Sequence, residues 1–148
     1  MKQPIFTGSA VALVTPFGPD VAVDYEMLSR LIDLHLQNGT DAIVLCATTG
    51  ESPTLTSQEY EEVLRRGVRQ VNGRIPGISV AGSNSTARGL ELRQTAEAAG
   101  VDALLAVTPY YNKTSTNRSS FIMFLRGRGL TSSLLRTKFS RSTHCSTA

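Results

Sequence analysis

The segment Asp41-Ala42-Ile43-Val44-Leu45-Cys46-Ala47-Thr48-Thr49-Gly50-Glu51 combines an apolar run with an abrupt polar end. A short apolar run bounded by turn-forming residues is typical of a strand buried on both faces. Gly50 allows a sharp backbone turn, so that amide N–H groups near Thr48 and Thr49 can point into one small space. Such strand ends bind small anions in α/β enzymes. The alternative interpretation is a tight turn in which threonine serves local hydrogen bonding alone.

The rest of residues 1–113 repeats an alternation of apolar strands and amphipathic helices. Further strands are predicted at 8–15, 78–81 and 103–107, each followed by a polar loop. Three helices are predicted between the strands, the first capped by Asp24, the second opened by the capping box of Thr56 and Glu59, the third ended by Gly100. This repeat predicts an α/β fold with a parallel sheet, in which right-handed crossovers bring the polar loops to one end.

Two parallel architectures fit that alternation. A doubly wound nucleotide-binding sheet normally shows G-x-G-x-x-G or G-x-x-x-x-G-K-[ST] after its first strand, and this sequence has neither pattern. A (β/α)₈ TIM barrel places hydroxyls and tyrosines at strand ends, as this chain does, but usually takes about 250 residues. The pattern therefore favours the N-terminal half of a (β/α)₈ barrel over residues 1–113.

Charge divides the chain into two parts. The formal net charge is +3, from 15 basic and 12 acidic residues. Residues 114–148 hold six of the basic residues and no acidic ones, so that residues 1–113 carry nine against twelve. The body is thus acidic, and nothing in it resembles a basic face with interleaved aromatics. The chain is predicted to have no nucleic-acid partner.

The apolar content argues against a membrane or secreted protein. No apolar run approaches the roughly eighteen residues that a bilayer span needs, and no signal peptide is recognisable at the start. Cys46 and Cys145 lie far apart without a C-x-x-C partner, and Cys46 is expected to be a buried free thiol. These features predict a cytoplasmic protein without a metal site.

Several ordered motifs then resemble one enzyme family. Residues 47–55, Ala-Thr-Thr-Gly-Glu-Ser-Pro-Thr-Leu, resemble the G-T-T-G-E-S-x-T-L motif of the dihydrodipicolinate synthases, which belong to the pyruvate-dependent aldolases and lyases. Residues 107–113, Val-Thr-Pro-Tyr-Tyr-Asn-Lys, resemble the family's V-T-P-Y-Y-N-[KR]. Shorter similarities at 6–8, 13–17 and 82–84 follow in the expected order, so that the resemblance covers about residues 4–113. N-acetylneuraminate lyase, a relative in the superfamily, is the alternative, but it tends to have serine at Thr48 and lacks the Tyr-Tyr-Asn run.

The resemblance implies a reaction and residue roles. The family condenses pyruvate with aspartate semialdehyde in lysine (diaminopimelate) biosynthesis through a lysine Schiff base, without a cofactor, and acts as a homotetramer. Thr48 and Tyr111 match catalytic members of a Thr–Tyr–Tyr proton relay, and Thr49 matches the residue that binds the pyruvate carboxylate. Asn84 and Tyr110 match positions of a lysine-feedback site. Other positions of that site differ from inhibited members, which argues against feedback control: Pro53, Ser57, Tyr60 and Arg88.

The resemblance stops after Lys113. The chain continues rich in serine, threonine and arginine, and none of its three lysines, Lys2, Lys113 and Lys138, stands in the strand context of the Schiff-base lysine. Our hypothesis is that 114–148 is a non-matching basic tail that arose from a shifted reading frame or a rearranged gene. The alternative is a natural short paralogue with a disordered tail. Residues 121–125 of that tail would then pair as a strand or simply form an aggregation-prone apolar segment.

Half a barrel has physical consequences. The first and last of its four strands would expose unpaired N–H and C=O groups, and its apolar interior would meet water. We therefore expect an isolated chain that is marginally stable, self-associates and has no aldol activity. A catalytically silent fragment or interaction protein is accordingly the alternative to an enzyme.

Overall fold

The computed structural model describes residues 4–107 and the two short strands Met123–Arg126 and Ser132–Leu134. Strands and helices alternate through residues 10–106. The elements are β1 Ala10–Ala12, α1 Tyr25–Gln37, β2 Ala42–Leu45, α2 Ser57–Val71, β3 Gly77–Val80, α3 Thr86–Ala99, β4 Ala103–Ala106, β5 Met123–Arg126 and β6 Ser132–Leu134. Single 3₁₀ turns at Thr48–Gly50 and Ser52–Thr54 link β2 to α2. All four predicted strands and all three predicted helices are present; β1 and β4 are shorter than expected, and β3 has the expected length but starts one residue earlier.

The six strands form one sheet in sequence order, β1-β2-β3-β4-β5-β6. Strands β1 to β4 are parallel, with Val11 opposite Ile43, Val44 opposite Ile78 and Ser79 opposite Leu104. Because these strands are parallel, their carboxyl ends lie at the same edge of the sheet. The loops that follow β1 to β4 therefore share that edge, as the sequence predicted.

Strand β5 runs against this pattern. It pairs antiparallel with β4, with Leu104 opposite Leu125 and Leu105 opposite Phe124, and β6 pairs antiparallel with β5. The expectation that β4 is an open edge is therefore wrong, because a segment of the basic tail occupies it. The alternative that 121–125 pairs as a strand is confirmed for residues 123–125, and the strand extends to Arg126. Within the described strands, β1 has one partner, so the expected open edge remains on that side.

The helices cover one face of the sheet. Ile43 and Leu45 of β2 pack there against Ile32 of α1 and Leu64 of α2, and all four side chains are no more than 1% exposed. Alternate strand residues, among them Ala42, Ile78 and Ala103, form a second cluster on the opposite face. Alternation of side chains along each strand produces these two layers.

The helix ends follow the predicted signals. Asp24 accepts a 2.8 Å hydrogen bond from the Met27 amide at the start of α1. Thr56 and Glu59 form the complete capping box of α2. Helix α2 ends at Val71, and its C-cap Asn72, in the left-handed conformation, directly precedes Gly73. The left-handed Gly100 caps α3, as predicted.

Candidate functional site

The two candidate threonines lie in a single 3₁₀ turn immediately after β2. The turn spans Thr48–Gly50 and is closed by hydrogen bonds from Gly50 N–H to the Ala47 carbonyl and from Glu51 N–H to the Thr48 carbonyl, both 3.0 Å. Thr48 and Thr49 are exposed, and among residues 4–107 the amides of both lack a hydrogen-bond acceptor. The turn therefore places two exposed threonines, whose amides have no acceptor among residues 4–107, at the carboxyl edge of the sheet.

The turn is shaped by residues other than the glycine. Cys46 and Glu51, on either side of it, have φ of +52° and +55°, whereas Gly50 has an ordinary negative φ. The requirement for glycine is steric, because a Cβ at position 50 would lie 2.8 Å from the Leu13 carbonyl oxygen and 3.1 Å from Thr15 Oγ1. Gly50 thus permits a close approach of the turn to the end of β1, and the positive φ values of this segment belong to Cys46 and Glu51 instead.

Thr15 ties the loop after β1 to this turn. Its hydroxyl donates a 2.7 Å hydrogen bond to the Gly50 carbonyl oxygen, and both residues are buried. A buried carbonyl without a partner costs about 1–3 kcal/mol, so this bond fixes the turn that carries Thr48 and Thr49.

Tyr60 connects helix α2 to the strand next to β2. Its hydroxyl lies 2.9 Å from Ser79 Oγ and donates to the Val80 carbonyl at 3.0 Å, and thereby joins α2 to the end of β3. Burial raises the pKa of Tyr60 to about 12. Burial also raises the pKa of the Cys46 thiol to about 12, and this side chain is a buried free thiol as predicted. Both groups are therefore neutral at physiological pH, and their contribution is packing and hydrogen bonding.

The loops after β3 and β4 also meet at the carboxyl edge. The Ala81 amide donates to the Leu105 carbonyl at 3.0 Å, and a Cβ on Gly82 would collide with the backbone of Val107. Asn84 follows in the same loop and is exposed. The chain after β4 therefore starts beside the loop that carries Asn84.

The predicted site is only partly within the described residues. Thr48, Thr49 and Asn84 all follow strands at one edge. Tyr110 and Tyr111 lie outside the described residues, as do all three lysines, Lys2, Lys113 and Lys138, and the predicted tail apart from β5 and β6. The contact between Thr48 and Tyr111 that the relay requires stays a prediction.

Residues at the other predicted feedback positions have structural partners. Tyr60 is 1% exposed and points into the core. The Arg88 guanidinium donates to Ser57 Oγ at 3.0 Å and forms an ion pair with Glu91 at 3.2 Å. Pro53 is exposed. Three of the four positions are thus engaged in contacts within this chain.

Sequence reasoning did not single out two of the residues that shape the site, Thr15 and Ser79. Both are hydroxyl residues in or beside apolar strands, and both are buried. A polar residue in such a run needs a hydrogen-bond partner, which is the signal that identifies them.

Two further observations bear on the kind of site. Over the residues that the structure describes, no group of three or more histidine, cysteine, aspartate or glutamate side chains is placed to hold a metal ion. None of the helices described has the length and apolar content that crossing a bilayer requires.

Comparison with known proteins gives one consistent family. The model of the "Dihydrodipicolinate synthetase family" matches residues 5–120. The 4-hydroxy-tetrahydrodipicolinate synthase of Thermoanaerobacter sp. (strain X514) is 50% identical over 113 residues, which are 76% of this chain and 38% of that protein. The enzyme of the same name from Stutzerimonas stutzeri (strain A1501) is 56% identical over 109 residues, 74% of this chain and 37% of that protein.

Solved structures agree. The dihydrodipicolinate synthase of Aquifex aeolicus superposes with a TM-score of 0.71 at 49% identity, over 76% of this chain and 38% of that chain. The dihydrodipicolinate synthase of Thermotoga maritima gives a TM-score of 0.74 at 42% identity, over 77% and 38%. These proteins are TIM barrels, so β1 to β4 with their helices are the N-terminal portion of a (β/α)₈ barrel, as predicted.

The match covers only part of the length of each relative. The chain spans about 38% of the length of the Thermoanaerobacter synthase, somewhat less than the half barrel expected from the sequence. Within that span, identity, order of motifs and backbone geometry all agree. The chain belongs to the dihydrodipicolinate synthetase family.

Proposed function

We propose that residues 4–113 are the pyruvate-binding portion of a 4-hydroxy-tetrahydrodipicolinate synthase, a lyase of lysine (diaminopimelate) biosynthesis. The reaction is the condensation of pyruvate with aspartate semialdehyde. The observation that carries the proposal is the Thr48–Gly50 turn at the carboxyl edge of the parallel sheet, with two hydroxyls and two amides that have no acceptor among residues 4–107. Membership in the family supports this choice over an anion site of another kind.

The charge of pyruvate fits this turn. A carboxylate accepts hydrogen bonds at each oxygen, and bonds from N–H and O–H donors to an anion are stronger than those between neutral groups. Thr49 supplies a hydroxyl and an amide to the carboxylate. Thr15 holds the turn in place before substrate binds, and Tyr60 holds α2 against the end of the neighbouring strand β3, so that little ordering is left to binding.

Thr48 has a different role. A threonine hydroxyl both accepts and donates, and can pass a proton between two phenols. Tyr111 is proposed as its partner in the relay, which in the family reaches the site of a neighbouring subunit. Asn84 and Tyr110 are the residues proposed for a weak regulatory site, although the contacts of Tyr60 and Arg88 oppose lysine feedback.

The covalent step requires a lysine that this sequence does not place. We propose that the intact enzyme forms the Schiff base on a later strand, uses no cofactor, and assembles as a cytoplasmic homotetramer. We further propose that the chain as given is inactive alone, and that 114–148 derives from a shifted reading frame. Borohydride treatment with pyruvate, followed by mass spectrometry, should leave the chain unmodified. A pyruvyl adduct on any lysine would contradict the inactivity.

A hybrid enzyme tests the site itself. Residues 1–113 of this chain are joined to the remaining C-terminal portion of the Thermoanaerobacter synthase, which is 50% identical in the replaced part. The hybrid should condense pyruvate with aspartate semialdehyde. Thr48→Val should lower kcat by about 100-fold, the usual effect of losing a proton-transfer group. Thr49→Val should mainly raise the KM for pyruvate.

Matched variants separate the site from general damage. Thr48→Ser and Thr49→Ser retain the hydroxyl and should recover most activity. Thr7→Val changes an exposed threonine that precedes the amino end of β1, away from the carboxyl edge, and should act as the unaltered hybrid. A folded hybrid in which Thr48→Val and Thr49→Val are as active as Thr7→Val would refute the assignment of the turn.

A further inference from the structure

The outer edge of β4 is the place where this chain departs from its family's barrel. In a closed parallel barrel each strand pairs with parallel neighbours on both sides. Here β4 is parallel to β3 on one side, but antiparallel to β5 on the other over four consecutive residue pairs, from Ala103 opposite Arg126 to Ala106 opposite Met123. One strand edge holds one partner, so β5 and a fifth parallel strand exclude each other.

We infer that Met123–Arg126 is an intramolecular edge cap, which occupies the β4 edge and closes it to any strand added from another chain. The inference is independent of the proposed function, because it concerns the backbone pairing alone. The partner of this surface is thus a segment of the chain itself.

The lengths of the outer strands support this arrangement. The uncapped edge of β4 would present four apolar residues, Ala-Leu-Leu-Ala, with a row of free N–H and C=O groups. With β5 in place the outermost strand on that side is β6, which has three residues, Ser132–Leu134, as has β1 on the opposite side. Very short edge strands are a common means by which proteins avoid edge-to-edge association.

The antiparallel direction of β5 also explains how this strand can pair with β4 without a crossover helix. Antiparallel strands need only a loop between them, whereas parallel strands need a crossover of a dozen or more residues that packs on the sheet. The pairing of β5 with β6 adds a second antiparallel partner. A two-stranded hairpin that continues the sheet therefore substitutes for the helix-connected strand of a barrel.

Engineered disulfides in the full-length chain test the register directly. Leu105 and Phe124 are directly opposite each other, and opposed Cα atoms of antiparallel strands lie about 4.5–5.5 Å apart, within disulfide range. The variant Leu105→Cys/Phe124→Cys should oxidise to an intramolecular disulfide. In Leu105→Cys/Leu125→Cys the two positions are on opposite faces of the sheet, so the yield should be lower by about tenfold or more. Cys145→Ser is included in both variants, and native Cys46 is buried.

Hydrogen exchange of the unaltered chain supplies a second measurement. A capped β4 has partners on both sides and should exchange its amides as slowly as β2, whereas β1, with one described partner, exchanges about tenfold faster or more. Preferential oxidation of the 105/124 pair together with slow exchange in β4 supports the cap. Equal oxidation of the two pairs, or exchange of β4 at the rate of β1, overturns it.

Discussion

The hydroxyl of Thr15 donates to the carbonyl oxygen of Gly50 across 2.7 Å, and this bond connects the loop after β1 to the turn that carries Thr48 and Thr49. Thr15 is 6% exposed, so water does not replace the bond easily. The candidate substrate-binding turn is therefore held by a residue from the neighbouring strand, in addition to its own short hydrogen bonds.

Replacing Thr15 by valine should destabilise the chain. Valine has nearly the same shape but leaves the buried Gly50 carbonyl without a donor, which costs about 1–3 kcal/mol. Urea unfolding of Thr15→Val should show a lower midpoint with an unchanged slope. Thr15→Ser keeps the hydroxyl and is the matched control. A Thr15→Val chain as stable as the serine variant would show that this bond contributes nothing to stability.

Two glycine-to-alanine substitutions should change the stability of the chain in opposite directions. Gly50→Ala places a Cβ 2.8 Å from the Leu13 carbonyl oxygen, and the resulting strain should cost about 1–3 kcal/mol. Gly89 lies in helix α3, where the nearest atom to a new Cβ is 4.0 Å away. Gly89→Ala should therefore stabilise the chain by about 0.5–1 kcal/mol, because alanine favours the helix.

Thermal unfolding of the two variants beside the unaltered chain measures both effects. The expected order of Tm is Gly89→Ala highest and Gly50→Ala lowest. A Gly50→Ala chain with unchanged Tm would mean that the β1 end can move away from the turn at no cost.

The capping box of α2 gives a further prediction. Thr56 Oγ1 accepts from the Glu59 amide at 3.2 Å. The Glu59 carboxylate accepts from the Thr56 amide at 2.8 Å and from the Thr56 hydroxyl at 2.7 Å, and these two bonds hold the pKa of Glu59 below its usual value. Thr56→Ala removes the cap and should cost about 1 kcal/mol. Thr86→Ala, at the first position of α3, should change stability by less than about 0.5 kcal/mol. Chemical denaturation measures both; equal stability of the two variants would contradict a stabilising cap.

Local sequence rules predicted most of this fold. Each helix start carried a side chain that accepts from the backbone, namely Asp24, Thr56 and Ser85, and two of these were identified beforehand. The strands could be identified as short apolar runs, and the runs are apolar because the strand residues are buried on both faces of the sheet. These signals depend on neighbours in sequence, which is why they can be read without a structure.

Other features depend on contacts between distant residues. The steric requirement at Gly50 arises from Leu13, and the left-handed φ of Cys46 occurs directly after β2, at the end of an apolar run that does not predict it. The pairing of β5 with β4 depends on a segment outside the family resemblance, so the family pattern could not predict its direction. Long-range packing, rather than local propensity, decides each of these cases.

High pH should destabilise the chain in two stages that trace to Cys46 and Tyr60. Burial raises the pKa of both groups to about 12, from ordinary values of 9.0 and 10.0. The unfolded chain therefore loses these protons first, and since it then binds fewer protons than the folded chain, stability falls as pH rises. The contribution is fully present below pH 9 and is lost progressively as pH rises toward 12, first through the thiol and above pH 10 also through the phenol.

Single substitutions should separate the two stages. Cys46→Ala should flatten the decline of Tm that starts near pH 9, and Tyr60→Phe should flatten the decline that starts near pH 10. Tyr60→Phe also loses its hydrogen bonds to Ser79 and Val80, so the slope of Tm against pH, rather than Tm at neutral pH, is the quantity to compare. Cys145→Ser is the control for the thiol. If both variants follow the same pH slope as Cys145→Ser, proton release from these two side chains does not drive the alkaline unfolding.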